Sequence, residues 1–250
     1  MRYILLLTVL LASNAFTAPD FEETMAEAKQ GYAKAQTILG FMYEHGVGGP
    51  ENDAEAVKWY RKAADQGYAD AQYNLGVSYE NGLGVPKNNA EAVKWYRKAA
   101  NQGYAKAQYN LGVMYALGDG VPENDAEAVK WFRKAADQGH ASAQYSLGNH
   151  YYGDKGIPEN DAKAFIWFKK AADQGHAKAQ SNLGVMYSNG MGVPENKVRG
   201  YVWMSMAKTQ GIDRAKTLLK TFKAKMTKQK IVQAQALAAK CYESDYKDCG

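Results

Sequence analysis

The chain has 250 residues, with 31 basic and 26 acidic side chains for a formal net charge of +5, 46% hydrophobic residues and two cysteines. A balance this close to neutral gives no ground for a nucleic-acid partner, and two cysteines exclude a fold stapled throughout by disulfides. Length alone does not fix the number of domains, because a tandem array grows by addition and needs no single central core.

Met1 and Arg2 precede an apolar run over residues 4–11 and the small residues Ala12, Ser13 and Ala15. That pattern predicts a secretory signal peptide over residues 1–15, since the run is too short to cross a bilayer as a helix. Cleavage is expected after Ala15, with Ser13 at position −3; a cut after Ala18 would put Phe16 at −3 and Pro19 at +1, both unfavourable. No cysteine follows the run to take a lipid anchor, and no integral membrane segment is expected after cleavage. Loss of Arg2 lowers the net charge to about +4. Residues 16–30 are expected to form an N-terminal capping helix, in which Pro19 to Gln30 align with the second helix of a preceding unit but place Glu23 in a slot that the later units fill with Trp. An N-terminal cap with a water-facing outer side has this character.

From residue 31 the chain is periodic. Trp59, Trp95, Trp131, Trp167 and Trp203 are 36 residues apart without a slip, and Gly31, Gly67, Gly103, Gly139, Gly175 and Gly211 keep the same step. A fixed period in this range marks stacked repeats, each unable to bury its apolar face alone. The units run 31–66, 67–102, 103–138, 139–174 and 175–210.

The unit at 67–102 shows the internal plan. Ala71, Leu75 and Tyr79 are four residues apart and share one helical face, which predicts a first helix. Gly82, Gly84 and Pro86 stop it. Asn88 or Asn89 then offers a capping oxygen to a second helix packed through Ala92, Trp95, Ala99 and Ala100. Gly103 fits the left-handed position just past that helix. Gly76 lets two backbones approach while Leu75 and Trp95 fill the space beside them. The expected repeat core is thus the five tryptophans with Leu39, Leu75, Leu111, Leu147 and Leu183.

The pattern AxAQxxLGxMYxxGxGVPxNxxxAVxWYRKAAxQG, almost entire at 105–139, resembles the Sel1-like repeat, a relative of the tetratricopeptide repeat. The resemblance implies an all-α, right-handed solenoid of antiparallel helix pairs acting as an adaptor for other proteins, and an exported bacterial setting. Two copies depart from the pattern. The fourth has Asp154 where its siblings have Gly46, Gly82, Gly118 and Gly190, which predicts a differently turned loop, and the fifth loses the usual Lys and Arg of its second helix.

Residues 211–250 hold half a unit, then a closing helix opened by Thr227 and a short tail. Arg214, Lys216, Lys220, Lys223, Lys225, Lys228 and Lys230 face a lone Asp213; this segment could meet an anionic surface, or be a solvated outer face. Cys241 and Cys249 could be bridged in an oxidising compartment, or remain free thiols.

Candidate chemistry is sparse. His140 and His176 fill the slot of Tyr32, Tyr68 and Tyr104 and read as packing substitutes; His150 replaces Met42, Met114 and Met186; His45 ends a helix. None has the spacing of a metal ligand set, so no catalytic residue, metal or cofactor is assigned. Ser205 and Lys208 form an SxxK pattern, which some exported relatives described as acting on β-lactams make worth weighing. The companion SDN and KTG motifs are missing, the repeats carry no cysteines, and the two residues align with Arg61 and Ala64 of the first copy.

Function is therefore expected on the side of the first helices that the core leaves free. With Ala107 at the origin of a helical wheel, Leu111 and Tyr115 fall on the packing side, and Tyr109, Asn110, Val113 and Leu117 across from it, with Lys106 at the helix start. The matching residues are Tyr73, Asn74 and Val77 in the second unit and Tyr145, Ser146 and Asn149 in the fourth. In a curved array these positions line the inner surface, and Tyr73, Tyr109 and Tyr145 are expected to form a ladder suited to a protein or peptide partner. Three functions are carried forward: an exported non-enzymatic scaffold, a β-lactam-binding or hydrolysing enzyme, and a secreted or surface factor that binds a host protein.

Overall fold

The computed structural model describes residues 20–153, 156–247 and 249. The expected signal segment 1–15 and Asp154 lie outside the described residues. The described chain is all helix, with thirteen helices and no strand. It divides into two units, residues 1–99 and 100–250.

The first unit holds α1 (Phe21–Lys29), α2 (Ala33–His45), α3 (Asp53–Asp65), α4 (Ala69–Asn81) and most of α5 (Asn89–Asn101). The second holds α6 (Ala105–Leu117), α7 (Asp125–Asp137), α8 (Ala141–Tyr152), α9 (Asp161–Asp173), α10 (Ala177–Asn189), α11 (Lys197–Thr209), α12 (Asp213–Ala224) and α13 (Lys228–Glu243). Helices α1 to α4 in the first unit and α6 to α12 in the second each pack on the next, so the chain alternates a first (A) and a second (B) helix of each repeat.

Local chemistry sets these boundaries. Asn52, Asn124, Asn160 and Asn196 cap α3, α7, α9 and α11, each accepting the amide three residues on. At α5 the choice between two asparagines falls to Asn88, whose Oδ1 accepts from the Glu91 amide at 3.1 Å. Helices α2, α4, α6 and α10 end at Gly46, Gly82, Gly118 and Gly190, all left-handed at φ between 63° and 75°. Helix α8 departs as its sequence predicts: it is one residue shorter, and Gly153 closes it at φ −122°.

Leu39, Leu75, Leu111, Leu147 and Leu183 are fully buried. Trp203 is fully buried too, whereas Trp59, Trp95, Trp131 and Trp167 each keep one edge near solvent, capped by a lysine three residues on at 3.8–4.3 Å from the ring centre. The glycine after each leucine has a packing reason. A Cβ on Gly148 would lie 2.7 Å from the Phe168 ring, and Gly112 stands in the same relation to Phe132.

A polar clamp joins the repeats. Buried Gln144 donates its side-chain amide to the Ala136 carbonyl at the end of α7 and accepts from Gln174, past the end of α9. The same pair of bonds recurs at Gln180 and Gln108, and at Gln36 in the first unit. Each such glutamine gives a second donor to a helix-end carbonyl that already accepts the glycine amide three residues on, as Ala136 does from Gly139 at 3.0 Å.

Thr227 caps α13, which packs on α11. Cys241 and Cys249 are disulfide-bonded, which answers the choice the sequence leaves open.

Candidate functional site

In the second unit the A helices α6, α8 and α10 turn Ala107, Gln108, Leu111 and Met114, and their equivalents, into the core. Across from them Tyr109, Asn110, Val113, Tyr145, Ser146 and Asn149 are half-buried, Lys106 is exposed, and Leu117 is 64% exposed. Two shallow depressions lie on this face. One, of about 310 Å³, is lined by Tyr109, Ser142, Tyr145, Ser146, His176 and Lys178, among others. The other, of about 250 Å³, is lined by Val113, Ala116, Leu117, Phe132, Ser146, Asn149 and His150. Ser146 belongs to both, so the two adjoin.

The expected tyrosine ladder takes a different form. Tyr109 and Tyr145 each rest on the aromatic residue of their own B helix, 5.8 Å from Phe132 and Phe168. Their outer faces do not stack on one another. Tyr109 stacks on His140 at 4.9 Å and Tyr145 on His176 at 4.6 Å. Burial raises the Tyr109 phenol above its ordinary pKa, against a hydrogen bond with Ser146 that lowers it. In the first unit Tyr73 lies 5.8 Å from Tyr96, and Asn74 and Val77 are half-buried beside it on α4.

The two histidines do more than replace a packing aromatic. Each is an N-cap: Nδ1 of His140 accepts the Ala143 amide and Nδ1 of His176 the Ala179 amide, both at 3.3 Å. Tyr32, Tyr68 and Tyr104 in the same slot make no such bond. A neutral ring is required for acceptance, and burial, aided by Lys106 beside His140, lowers the pKa. His176 is lowered chiefly by burial and also by Lys178, against a backbone hydrogen bond that raises it.

The face is short of acid. Helices α6, α8 and α10 carry Lys106 and Lys178 but no Asp or Glu. In the first unit, by contrast, α2 and α4 carry Glu44, Asp70 and Glu80. Near the C-terminal end Asn182 donates to Asn149 at 3.4 Å, and Arg214 reaches both Asn182 and Ser181, the latter at 2.8 Å.

The basic segment that Arg214 opens is dispersed. Lys216 lies 3.7 Å from Asp213 and Lys223 is 5.7 Å from the Tyr201 ring centre. Lys225 and Lys230 lie around Glu195, whose carboxyl Lys197 holds below the usual range, first by hydrogen bond and then by charge. Ser205 donates its hydroxyl to the Tyr201 carbonyl at 2.8 Å, and Lys208 is exposed. Among the described residues no cluster of three or more His, Cys, Asp or Glu could hold a metal, and no helix is long and apolar enough to cross a membrane.

A stack of helix pairs, capped by asparagine and glycine and clamped by glutamine, defines an α-helical repeat protein. The Sel1 repeat matches at residues 33–68, 69–104, 105–140, 141–176 and 177–212, and the chain belongs to the Sel1 repeat family. It is 43% identical to c5321, described as a protective antigen of uropathogenic Escherichia coli displaying an SLR fold, with a TM-score of 0.78 over 80% of this chain. This chain spans 43% of that protein's length. A Sel1 repeat protein from Oxalobacter formigenes is 37% identical, with a TM-score of 0.74 over 80% of this chain and 79% of its own. A putative Sel1 repeat protein from Klebsiella pneumoniae, 22% identical over 82% of this chain and all of its own, shares the fold at a TM-score of 0.51. No curated protein matches.

The glutamine clamp escaped the sequence reading, although its signal was printed in the repeat: a Gln in AxAQ and another in QG of every unit. A polar residue kept in register inside an apolar stripe has a partner to meet.

Proposed function

We propose that this chain is an exported, non-enzymatic scaffold that binds a protein or peptide on the A-helix face of its repeats. The observation that carries this reading is the contrast on α6 and α8. One side is packed to full burial by Leu111 and Leu147, while the other leaves Leu117 exposed beside two adjoining depressions lined by tyrosine, serine and asparagine. Aromatic residues with adaptable polar neighbours suit protein recognition. Export rests on the apolar segment at residues 4–11 and on the antigen description of the E. coli relative, which fits a protein reached by antibody. The enzyme reading is weaker because the Ser205 hydroxyl is engaged by a backbone carbonyl.

In-cell cross-linking, with the wild type compared against Tyr109→Ala/Tyr145→Ala, tests the binding face. The expected result is a defined partner lost in the double variant; an identical set of cross-linked products refutes the assignment. N-terminal sequencing of the chain from a periplasmic fraction tests export, and a mature chain beginning at Phe16 is expected. Nitrocefin turnover by the purified chain, abolished in Ser205→Ala, would instead establish the hydrolase.

A further inference from the structure

The charge and shape of the second unit's face restrict what can dock there. Lys106 and Lys178 stand at the starts of α6 and α10, and neither is in an ion pair among the described residues. Between them in the repeat register is Ser142, an uncharged hydroxyl that lines the first depression together with Lys178. The acids of these helix pairs sit instead on the B helices, as Asp125, Glu127, Asp137, Asp161 and Asp173. Cations without counter-charges, on a face whose helices bear no carboxylate, favour an anionic partner and repel a basic one.

The other end of the face has the opposite character. Leu117, Val113 and Ala116 border an apolar depression at the C-terminal end of α6. An exposed leucine beside such a hollow is a place for an apolar side chain to lose water, at about 25 cal/mol per Å² buried. Lys106 and Leu117 are eleven residues apart on one helix, or about 16 Å at 1.5 Å per residue. An extended peptide advancing about 3.3 Å per residue covers that span in about five residues.

We infer that the A-helix face of residues 105–189 binds an acidic peptide segment, carboxylates toward Lys106 and Lys178 and an apolar side chain in the hollow beside Leu117. This names the partner chemistry for the site proposed above and rests on that reading. The Tyr109–His140 and Tyr145–His176 stacks belong to the same face, their rings packed at 4.9 and 4.6 Å.

The test uses the full chain and a phage-displayed library of random dodecapeptides. The second repeat supplies a safe substitution, since Asp70 occupies on α4 the slot of Lys106 and Lys178. Expected are recovered peptides rich in Asp and Glu around a Leu, Ile or Phe. A fluorescein-labelled member should bind with an anisotropy change, and lose at least tenfold in affinity both in Lys106→Asp/Lys178→Asp and between 50 and 300 mM NaCl. Leu117→Ser should weaken it independently. Peptides without acidic bias that are lost in Tyr109→Ala/Tyr145→Ala overturn the charge assignment and leave the binding face standing. Peptides indifferent to both double variants, or no enriched peptide at all, overturn both. Co-sedimentation with phosphatidylglycerol vesicles, lost in Lys106→Asp/Lys178→Asp while acidic peptides fail to bind, overturns the peptide in favour of a lipid surface.

Discussion

Gln174 donates its side-chain amide to the side-chain oxygen of Gln144 at 2.8 Å, and the amide of Gln144 goes on to the Ala136 carbonyl at 3.1 Å. One buried side chain thereby ties the ends of two B helices, α7 and α9, from its place on the A helix between them. Gln144→Leu removes both bonds, while the Ala136 carbonyl keeps the Gly139 amide at 3.0 Å and the Gln174 amide keeps the Lys170 carbonyl at 3.4 Å; the cost is that of the two lost hydrogen bonds, about 1–3 kcal/mol together. Urea denaturation should show the midpoint fall while the slope holds. Lys130→Ala, which removes an exposed ion pair with Glu127, provides the comparison and should stay within about 0.5 kcal/mol of wild type.

The period, the helix pairs and the caps were legible because each is a local rule: Asn124 before an amphipathic run, Gly118 after one, Trp131 at fixed distance. The proposed binding face was legible only by subtraction, as what remained after Leu111 and Tyr115 took the core side. What Tyr109 touches was not, because its neighbours, Phe132 and His140, come from other helices and no spacing on α6 encodes them. The same limit hid the cap at His140: a residue in a tyrosine slot signals packing, and only backbone geometry reveals an acceptor nitrogen facing the Ala143 amide.

Gly148 tests the close approach of α8 and α9. Alanine is the better helix former by about 1 kcal/mol, so propensity alone predicts a gain. The added methyl would meet the Phe168 ring at 2.7 Å, and Phe168 is fully buried with nowhere to move. Overpacking of this kind costs about 1–3 kcal/mol, so Gly148→Ala should lower the melting midpoint. Phe168→Leu in the same chain makes room and should recover part of the loss. A midpoint raised by Gly148→Ala would mean that the helices are not held at this spacing.

Reduction of the Cys241–Cys249 bond should act locally. The bond closes a short loop, eight residues in separation, that carries Asp245 and Tyr246 in left-handed backbone at φ 51° and 67° and sets the Tyr246 ring against Gly175. Tyr246 does not adopt that conformation freely, so the cross-link holds a turn the open chain would leave. The loss is about 2–3 kcal/mol for a loop of this size. Hydrogen exchange under a non-thiol reductant should rise from α13 through Tyr246 and stay unchanged in α6 and α8. Faster exchange throughout the second unit would make the bridge a support of the whole stack.

Acid should weaken the second unit through its histidine caps. His140 and His176 accept an amide through Nδ1, and burial, with Lys106 and Lys178 adding to it, holds both pKa values below the ordinary 6.5. Well above 6.5 both rings are neutral in the folded and the unfolded chain, and the caps are intact. As pH falls through 6.5 the unfolded chain takes up protons that the folded chain refuses, so stability declines until the lower folded pKa values are passed. Burial raises the phenol of Tyr109, stacked on His140, so it brings no negative charge to offset an imidazolium. His140→Asn/His176→Asn keeps a capping oxygen of the kind Asn124 supplies and removes the titration. Between pH 7.5 and 5 the wild type should lose more stability in urea titrations than this double variant, with the two close together at pH 7.5. Parallel curves over that range would show that the rings stay capped when charged, and that the acid sensitivity arises in carboxylates elsewhere.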